Sequence, residues 1–176
     1  WGLQLEIPSQ TLNFKDSLLI QSFPIEDRVM VYDFDLNLIQ SPSLFKEYYE
    51  GKFHSLPEPS IEPDLLYPHL FSNPSNKSIF FDPYRDLYYR IYSASYSEDI
   101  IERRRENNFM PLKENNEYPD RKIMVFDRKF NEIGIIELDK KKYWIEFIRV
   151  VKEGILIPVQ SDDEDKKIFE IFEVNF

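Results

Sequence analysis

The amino-acid sequence predicts an all-β fold made of antiparallel strand–turn–strand units. Of its 176 residues, 42% are hydrophobic and 31% are charged, a mix typical of a folded chain rather than a disordered one. Aromatic residues reach 16%, and their side chains suit the half-buried surface of a pleated sheet. An internal repeat and a series of hairpin patterns support the same fold class.

The internal repeat is the clearest signal in the chain. Val29–Asp33 and Ile123–Asp127 share the pattern apolar, Met, Val, aromatic, Asp, and the two copies lie 94 residues apart. A four-stranded propeller blade takes about 40–50 residues, so we interpret this distance as two blades. Ile171–Phe176 resembles a weaker third copy. The repeat therefore predicts antiparallel β-propeller blades, about three in this chain and part of a six-bladed ring, with a β-sandwich as the alternative.

Each copy of the repeat also carries the residues of a hairpin turn. The carboxylate of Asp33 or Asp127 can accept backbone N–H groups across the turn. Four residues later, Asn37 or Asn131 suits a left-handed backbone conformation. The repeat thus predicts two equivalent turns with the Asn in the left-handed region.

Further strands fill the space around the repeat. Ser17–Gln21 is short and apolar, and Ile79–Asp82 leads through a Pro-containing turn into Leu87–Tyr92. Ile145–Val151 and Ile155–Gln160 flank a Gly-containing turn. Each pair predicts another hairpin.

Two polar stretches interrupt this rhythm. Residues 41–77 hold half of the 12 prolines, and residues 97–121 are rich in charge. We interpret both as loop insertions in one β domain that spans 1–176, and we expect them to decorate one face of the ring. Leu44–Tyr49 and Glu98–Asn107 could each hold a short helix.

Composition excludes several classes of function. Asp and Glu number 32 against 22 Lys and Arg, and the net charge of -10 disfavours nucleic acid as a partner. The absence of Cys removes disulfides, thiolate metal sites and cysteine nucleophiles. No apolar run reaches the roughly 20 residues needed to span a bilayer. No catalytic motif or phosphate-binding loop is present, so we predict no catalytic residue and no cofactor.

Three groups of residues could bind a metal, and a simpler interpretation is favoured for each. The acidic run 162–165 is typical of a solvated connection, and lysines follow it. Residues 33–37 resemble the start of a calcium loop but lack its Gly and its last Glu. His54 and His69 share no spacing that would bring them together. We therefore predict no metal site.

One hairpin holds the candidate ligand-binding residues, Asp82, Tyr84, Arg85 and Arg90. An arginine fork binds carboxylates or sugar hydroxyls well, so this cluster could line a polar pocket. The alternative is an internal Asp–Arg pair that holds the turn. Arg90, which lies among tyrosines, could also form a cation–π contact.

The same hairpin carries a family resemblance. Ile79–Arg90, together with the Met124–Asp127 hairpin and Ile133–Gly134, resembles uncharacterised lipoproteins of gut Gram-negative bacteria, known as domain of unknown function 4221. The resemblance covers roughly residues 15–176, the C-terminal half of such a protein. It implies a six-bladed TolB-like propeller in the bacterial cell envelope, in the periplasm or at the outer membrane, with a lipid anchor upstream of this chain. The family has no established activity, so the resemblance assigns no residue a role.

Three functions follow as hypotheses. The first is a non-catalytic module that binds a protein, a peptide or a glycan, since aromatic residues in loops supply contact area at a low entropic cost. The second is an enzyme whose active site lies in the propeller funnel and needs blades upstream of this chain. The third is a structural assembly partner, for example a homodimer of two half-propellers, which would cover the open edges that three blades leave.

Overall fold

The all-β prediction is confirmed. A computed structural model of the chain describes residues 8–44, 62–107, 117–161 and 165–174. In these ranges the strands form three antiparallel sheets of four, four and three strands, accompanied by two short helices. His54, residues 162–164 and nearly all of the helix expected at Leu44–Tyr49 lie outside them.

The first sheet is a simple meander. Its strands are β1 (Ser9–Asn13), β2 (Leu18–Ser22), β3 (Val29–Asp33) and β4 (Leu38–Gln40), hydrogen-bonded in chain order. The period of two in a strand places alternate side chains on opposite faces. One face of β2 and β3 is therefore buried, through the side chains of Ile20, Val29 and Val31.

The middle sheet repeats this order and lies inside the molecule. It contains β5 (Ser75–Asp82), β6 (Leu87–Ser93), β7 (Arg121–Phe126) and β8 (Glu132–Leu138). All seven residues of β6 are buried. Both faces of this strand are consequently covered by neighbouring sheets.

The third sheet has three strands in the described part of the chain. They are β9 (Arg149–Val151), β10 (Gly154–Val159) and β11 (Ile168–Phe172), with β10 in the centre. Gly154 faces the backbone of β11 so closely that a Cβ atom would lie 2.0 Å from the carbonyl oxygen of Phe172. Only glycine fits this position without a shift of one strand.

Two hydrophobic cores separate the three sheets. In the first core, Tyr88, Met124 and Phe126 from the middle sheet pack against Ile20 and Val31. The second core joins the other face of the middle sheet to the third sheet, through residues that include Tyr89, Ile91, Val125, Ile155 and Ile157. Burial of large apolar side chains contributes about 1.5–3 kcal/mol each, so these two interfaces account for much of the stability.

Side chains of β1 also bind the backbone of β5 directly. The amide of Ile79 donates to the hydroxyl oxygen of Ser9 at 2.9 Å, and the amide of Phe81 donates to that of Thr11 at 3.0 Å. These bonds place the first strands of the two sheets next to each other.

The repeated hairpin turns are equivalent in structure, as the sequence predicts. The amide of Asn37 donates to Asp33 Oδ1 at 2.8 Å, and the amide of Asn131 donates to Asp127 Oδ1 at the same distance. The prediction for the Asn residues is wrong in one respect. The left-handed residue is the one before each Asn, namely Leu36 (φ 64°) and Phe130 (φ 63°).

The interpretation of the 94-residue distance as two blades is also wrong. β3 and β7 are the third strands of adjacent sheets, because the two insertions lengthen the connections between them. The weaker third copy overlaps β11, which is likewise the third strand of its sheet in chain order.

Both insertions contain a helix. The sequence correctly indicates α2 (Glu98–Glu106), but it misses α1 (Pro63–Ser72), which begins inside the proline-rich stretch. Pro63 lies in the first turn, where proline is tolerated, and Pro68 lies within the helix. Within the described ranges, no helix is long and apolar enough to cross a membrane.

Candidate functional site

Asp82 is the centre of the predicted ligand-binding cluster, and it is fully buried. Its Oδ1 atom accepts the backbone N–H groups of Tyr84 at 2.9 Å and Arg85 at 3.1 Å. Its Oδ2 atom accepts the Arg85 guanidinium at 2.9 Å and the Tyr89 hydroxyl at 2.8 Å. Burial, followed by the hydrogen bond to the Asp82 carboxylate, raises the pKa of Tyr89 well above its usual range.

Arg85 links this cluster to the third sheet. Its Nη2 atom donates to the carbonyl oxygen of Lys152 at 2.7 Å, and its Nη1 atom donates to that of Val151 at 3.3 Å. Both carbonyls belong to the β9–β10 turn region. The Asp82–Arg85 pair therefore joins the β5–β6 turn to the next sheet, while the Tyr84 side chain is 59% exposed.

Arg90 points in the opposite direction and is also fully buried. Its guanidinium donates to the hydroxyl oxygen of Ser22 at 3.0 Å and to the carbonyl oxygens of Asp27 at 2.8 Å and Glu26 at 2.7 Å. These acceptors lie at the end of β2 and in the loop between β2 and β3. Arg90 thus binds the middle sheet to the first sheet.

The structure brings only some of the predicted site residues together. Asp82 and Arg85 are in contact with each other, and Tyr84 contributes its backbone amide to the same turn. Arg90 lies on the other face of the sheet because it follows Tyr89 by one residue. The contacts are those of the internal Asp–Arg alternative, and ligand binding by these four residues stays a prediction.

A second cluster lies where the two insertions meet. Successive strands of each sheet run in opposite directions, so all connections from an even-numbered strand to an odd-numbered one lie at the same end of the sheets. The connections that contain α1 and α2 are both of this kind. We call this end of the sheets the helix end. The amide of Tyr96 donates to the carbonyl oxygen of Phe71 at 2.8 Å, and their ring centroids lie 5.2 Å apart. Tyr67 stacks on Phe71 at 6.0 Å.

Two arginines lie over the aromatic rings of the helix end. The guanidinium carbon of Arg104 is 4.0 Å from the ring centroid of Phe71 and 5.5 Å from that of Tyr96. The guanidinium of Arg121 lies 4.6 Å from the ring of Tyr118. Burial raises the pKa of Tyr96, and the charge of Arg104 opposes this change. The cluster therefore combines half-buried aromatic surface with fixed positive charge.

The sequence interpretation missed this cluster. It assigned residues 97–121 to a charge-rich insertion, and Arg103 and Arg105 do bind Glu117 and Glu102 at the surface. Arg104 turns inward instead. Helical spacing could have indicated the inward direction of Arg104. The apolar Ile101 lies three residues before Arg104, on the same side of α2, and the structure shows Ile101 buried.

A groove forms on the outer face of the third sheet. It has a volume of about 560 Å³, and apolar side chains line most of it. Trp144 and Phe147 are 48% and 69% exposed there. Three positively charged residues also line the groove, namely Arg149, Lys166 and Lys167.

Metal-binding geometry does not occur within the described ranges, where no group of three or more His, Asp or Glu residues converges. His69 lies on α1, where its Nδ1 atom is 3.3 Å from the side-chain nitrogen of Asn73.

No protein-family model matches the chain, and no curated protein matches it either. Among solved structures, the fold is similar to the crystal structure of a member of the DUF4221 family from Bacteroides vulgatus. The TM-score is 0.68 and the sequence identity is 23%. The match covers 96% of this chain and 46% of that protein, so the chain spans about half its length. The likeness establishes the fold, and the family of this structure is the one that the hairpin motifs resemble.

Proposed function

We propose that the three sheets are consecutive blades of a six-bladed β-propeller that acts as a non-catalytic binding module in the bacterial cell envelope. Support comes from the meander order of each sheet, the proximity of β5 to both β1 and β9, and the likeness to the DUF4221 structure. The other blades would belong to a longer polypeptide, because the chain covers only 46% of the similar protein. A lipid anchor on that polypeptide is part of the proposal through the family resemblance of the hairpin motifs.

The binding surface in this proposal is the helix end. The observation that carries it is the convergence of both insertions on one aromatic and cationic cluster, which includes Phe71, Tyr96 and Arg104. Long loops in compact domains are usually either functional or linker segments, and here the described parts of both insertions form helices that pack against each other. Aromatic rings pack on sugar or peptide surfaces, and guanidinium groups bind carboxylates. Proteins, peptides and glycans with acidic groups are the partners that fit such a surface.

A binding experiment tests this assignment. The wild-type chain and the variants Arg104→Met and Tyr118→Ala would be applied to arrays of glycans and of peptides. We expect at least one ligand class that the wild type binds and that each variant binds at least roughly ten-fold more weakly, the loss typical of an anchor residue. Tyr84→Ala is the matched control, because it removes an exposed aromatic ring at the opposite end of the sheets.

Other outcomes would redirect the proposal. Equal loss of binding in the Tyr84→Ala control would move the ligand site to the predicted Asp82 cluster. Turnover of an array glycan would support the enzyme hypothesis. Melting temperatures of all variants must match that of the wild type, since a shift would report loss of packing instead of loss of a contact.

A further inference from the structure

A small cavity lies at the helix end, where the middle and third sheets meet. Its volume is about 20 Å³, and a single water-sized group needs roughly 10–15 Å³. The lining residues come from the first position of β7 and from the connections before β7, before β9 and after β10, namely Tyr118, Arg121, Trp144, Glu146 and Gln160. The cavity therefore has room for one small polar group but not for a whole ligand.

Arg121 supplies the positive charge of this cavity. It is the first residue of β7 and pairs with Ser93 of β6 and Leu138 of β8, so its backbone is held between two strands. The residue is only 7% exposed. Its Nε atom is buried without a hydrogen-bond partner, and no carboxylate in the described ranges forms an ion pair with the guanidinium.

A buried cation in this state is costly to the fold. Charges inside proteins are normally paired, because their removal from water is unfavourable. Arginine cannot escape this cost by losing its proton, since its pKa lies far above physiological pH. The ring of Tyr118 covers the guanidinium, with the ring centroid 4.6 Å from Cζ, and this contact offsets part of the cost. A negatively charged group in the adjoining cavity would supply the missing partner.

We propose, on the basis of the helix-end binding surface described above, that this cavity receives the carboxylate of an acidic sugar. The carboxylate is planar, and its two oxygens match the donors of a guanidinium fork. It is also small enough for the cavity, whereas a tetrahedral sulfate or phosphate carries more oxygens. The sugar ring then lies outside the cavity, against its rim.

Two backbone hydrogen bonds fix the rim on the side of the third sheet. The amide of Trp144 donates to the carbonyl oxygen of Pro158 at 3.0 Å. The amide of Gln160 donates to the carbonyl oxygen of Lys142 at 2.8 Å. The rim is thus formed before a ligand arrives, which lowers the entropic cost of binding.

The chemistry of the rim favours a sugar over a peptide terminus. Trp144 is 48% exposed, and an indole provides a flat apolar surface with one N–H donor. Glu146 is exposed at the same rim, and its carboxylate accepts hydrogen bonds from hydroxyl groups. A hexuronic acid has several hydroxyl groups on the ring that carries its carboxylate, whereas a peptide C-terminus has a single N–H beside its own.

Calorimetric titration of the 176-residue chain with three small probes tests the ligand class. Methyl β-D-glucuronide carries both the sugar ring and the carboxylate. Methyl β-D-glucoside lacks only the carboxylate, and N-acetylglycine has a carboxylate without a sugar. We expect the glucuronide to bind at least about ten-fold more tightly than either of the others, since it alone engages both the guanidinium and the rim.

Variants of Arg121 test the assignment of the residue. Arg121→Met should weaken glucuronide binding at least about ten-fold and leave glucoside binding unchanged. Arg121→Lys keeps the charge without the fork and should lose part of the affinity. Arg105→Met is the matched control, because Arg105 is an exposed arginine of the same end that binds Glu102, and its loss should leave glucuronide binding unchanged.

Two further measurements separate a binding role from a role in the fold. The ligand-free Arg121→Met variant should melt at or above the wild-type temperature, because methionine fills similar space without a buried charge. In the wild type, the Nε–Hε NMR signal of Arg121 should shift on addition of the glucuronide and not of the glucoside. This signal reports on the site even where a variant fails to fold.

Several results would overturn the proposal. Equal affinities for glucuronide and glucoside would exclude the carboxylate, and equal affinities for glucuronide and N-acetylglycine would exclude the sugar. An Arg121→Met variant that melts early and binds the glucuronide like the wild type would show that the residue serves the fold.

Failure of this inference is distinguishable from failure of the proposed function. If Arg104→Met weakens an array ligand that Arg121→Met binds normally, the helix end remains a binding surface and the carboxylate site is wrong. If no array ligand and no probe binds at the helix end, the proposed function fails together with this inference.

Discussion

At the scale of single residues, buried arginines and carboxylates connect the sheets. Arg90 is the clearest case, since its side chain has no solvent exposure and donates to one hydroxyl and several carbonyl oxygens of the first sheet. An arginine in this setting holds backbone acceptors that would otherwise lack donors. Arg90 is therefore buried in a structural role, in which it holds the middle sheet to the first sheet.

Replacement of Arg90 by methionine should lower the free energy of unfolding by ~3 kcal/mol, because buried carbonyl groups lose their donors. Urea denaturation measures this change. Arg105→Met is the control, since Arg105 forms an exposed ion pair with Glu102 and should change stability by less than about 0.5 kcal/mol. Equal effects of the two variants would mean that the Arg90 contacts add little.

The sequence identifies the chemistry of these residues but not the face of the sheet to which each side chain points. It groups Asp82, Arg85 and Arg90 at one hairpin, and two of the three are indeed in contact. Strand alternation sends Tyr89 and Arg90 to opposite faces, and the sequence does not show that sheets cover both. The helix-end cluster depends on a contact between two insertions far apart in the chain, which no local pattern encodes.

At the scale of elements, the repeated turn combines one backbone geometry with two environments. Leu36 and Phe130 both adopt a left-handed conformation, which costs a residue with a side chain about 1–2 kcal/mol. Leu36 is 68% exposed. Phe130 is buried and stacks on Tyr88, with the ring centroids 4.7 Å apart.

Glycine at these two positions should therefore have opposite effects. Leu36→Gly should raise the free energy of unfolding by roughly 0.5–1 kcal/mol, because it relieves the backbone and loses little contact. Phe130→Gly should lower it by about 3 kcal/mol or more, because the ring leaves a cavity in the first core. Thermal or urea denaturation of both variants measures the difference. A destabilised Leu36→Gly variant would contradict the strain argument.

Prediction of elements succeeds where local chemistry determines them. The Asp and Asn residues of the repeat bind their own turn, so the hairpins are visible in the sequence. The helix α1 is not visible, because Pro63 and Pro68 indicate a loop by composition. Its packing against α2 overrides that preference.

At the scale of the whole molecule, the sequence predicts the all-β class and the hairpins at the repeat. The structure shows that the repeated pattern falls on β3, β7 and β11, each the third strand of its sheet in chain order. The 94-residue distance between the two copies does not give the number of sheets between them, because it includes the lengths of both insertions. The arrangement of the sheets depends on burial at both faces of the middle sheet, which only tertiary structure reveals.

The complete burial of β6 has a consequence for how the chain opens. Its amide hydrogens bond to β5 and β7, and its side chains reach both cores, so solvent reaches them only when both interfaces separate. Amide hydrogen exchange should therefore be slowest in β6, with protection close to the global free energy of unfolding. Exchange in β4 and β11, at the outer edges, should be much faster through local opening. Equal protection of β6 and β4 would mean that the three sheets separate as independent units.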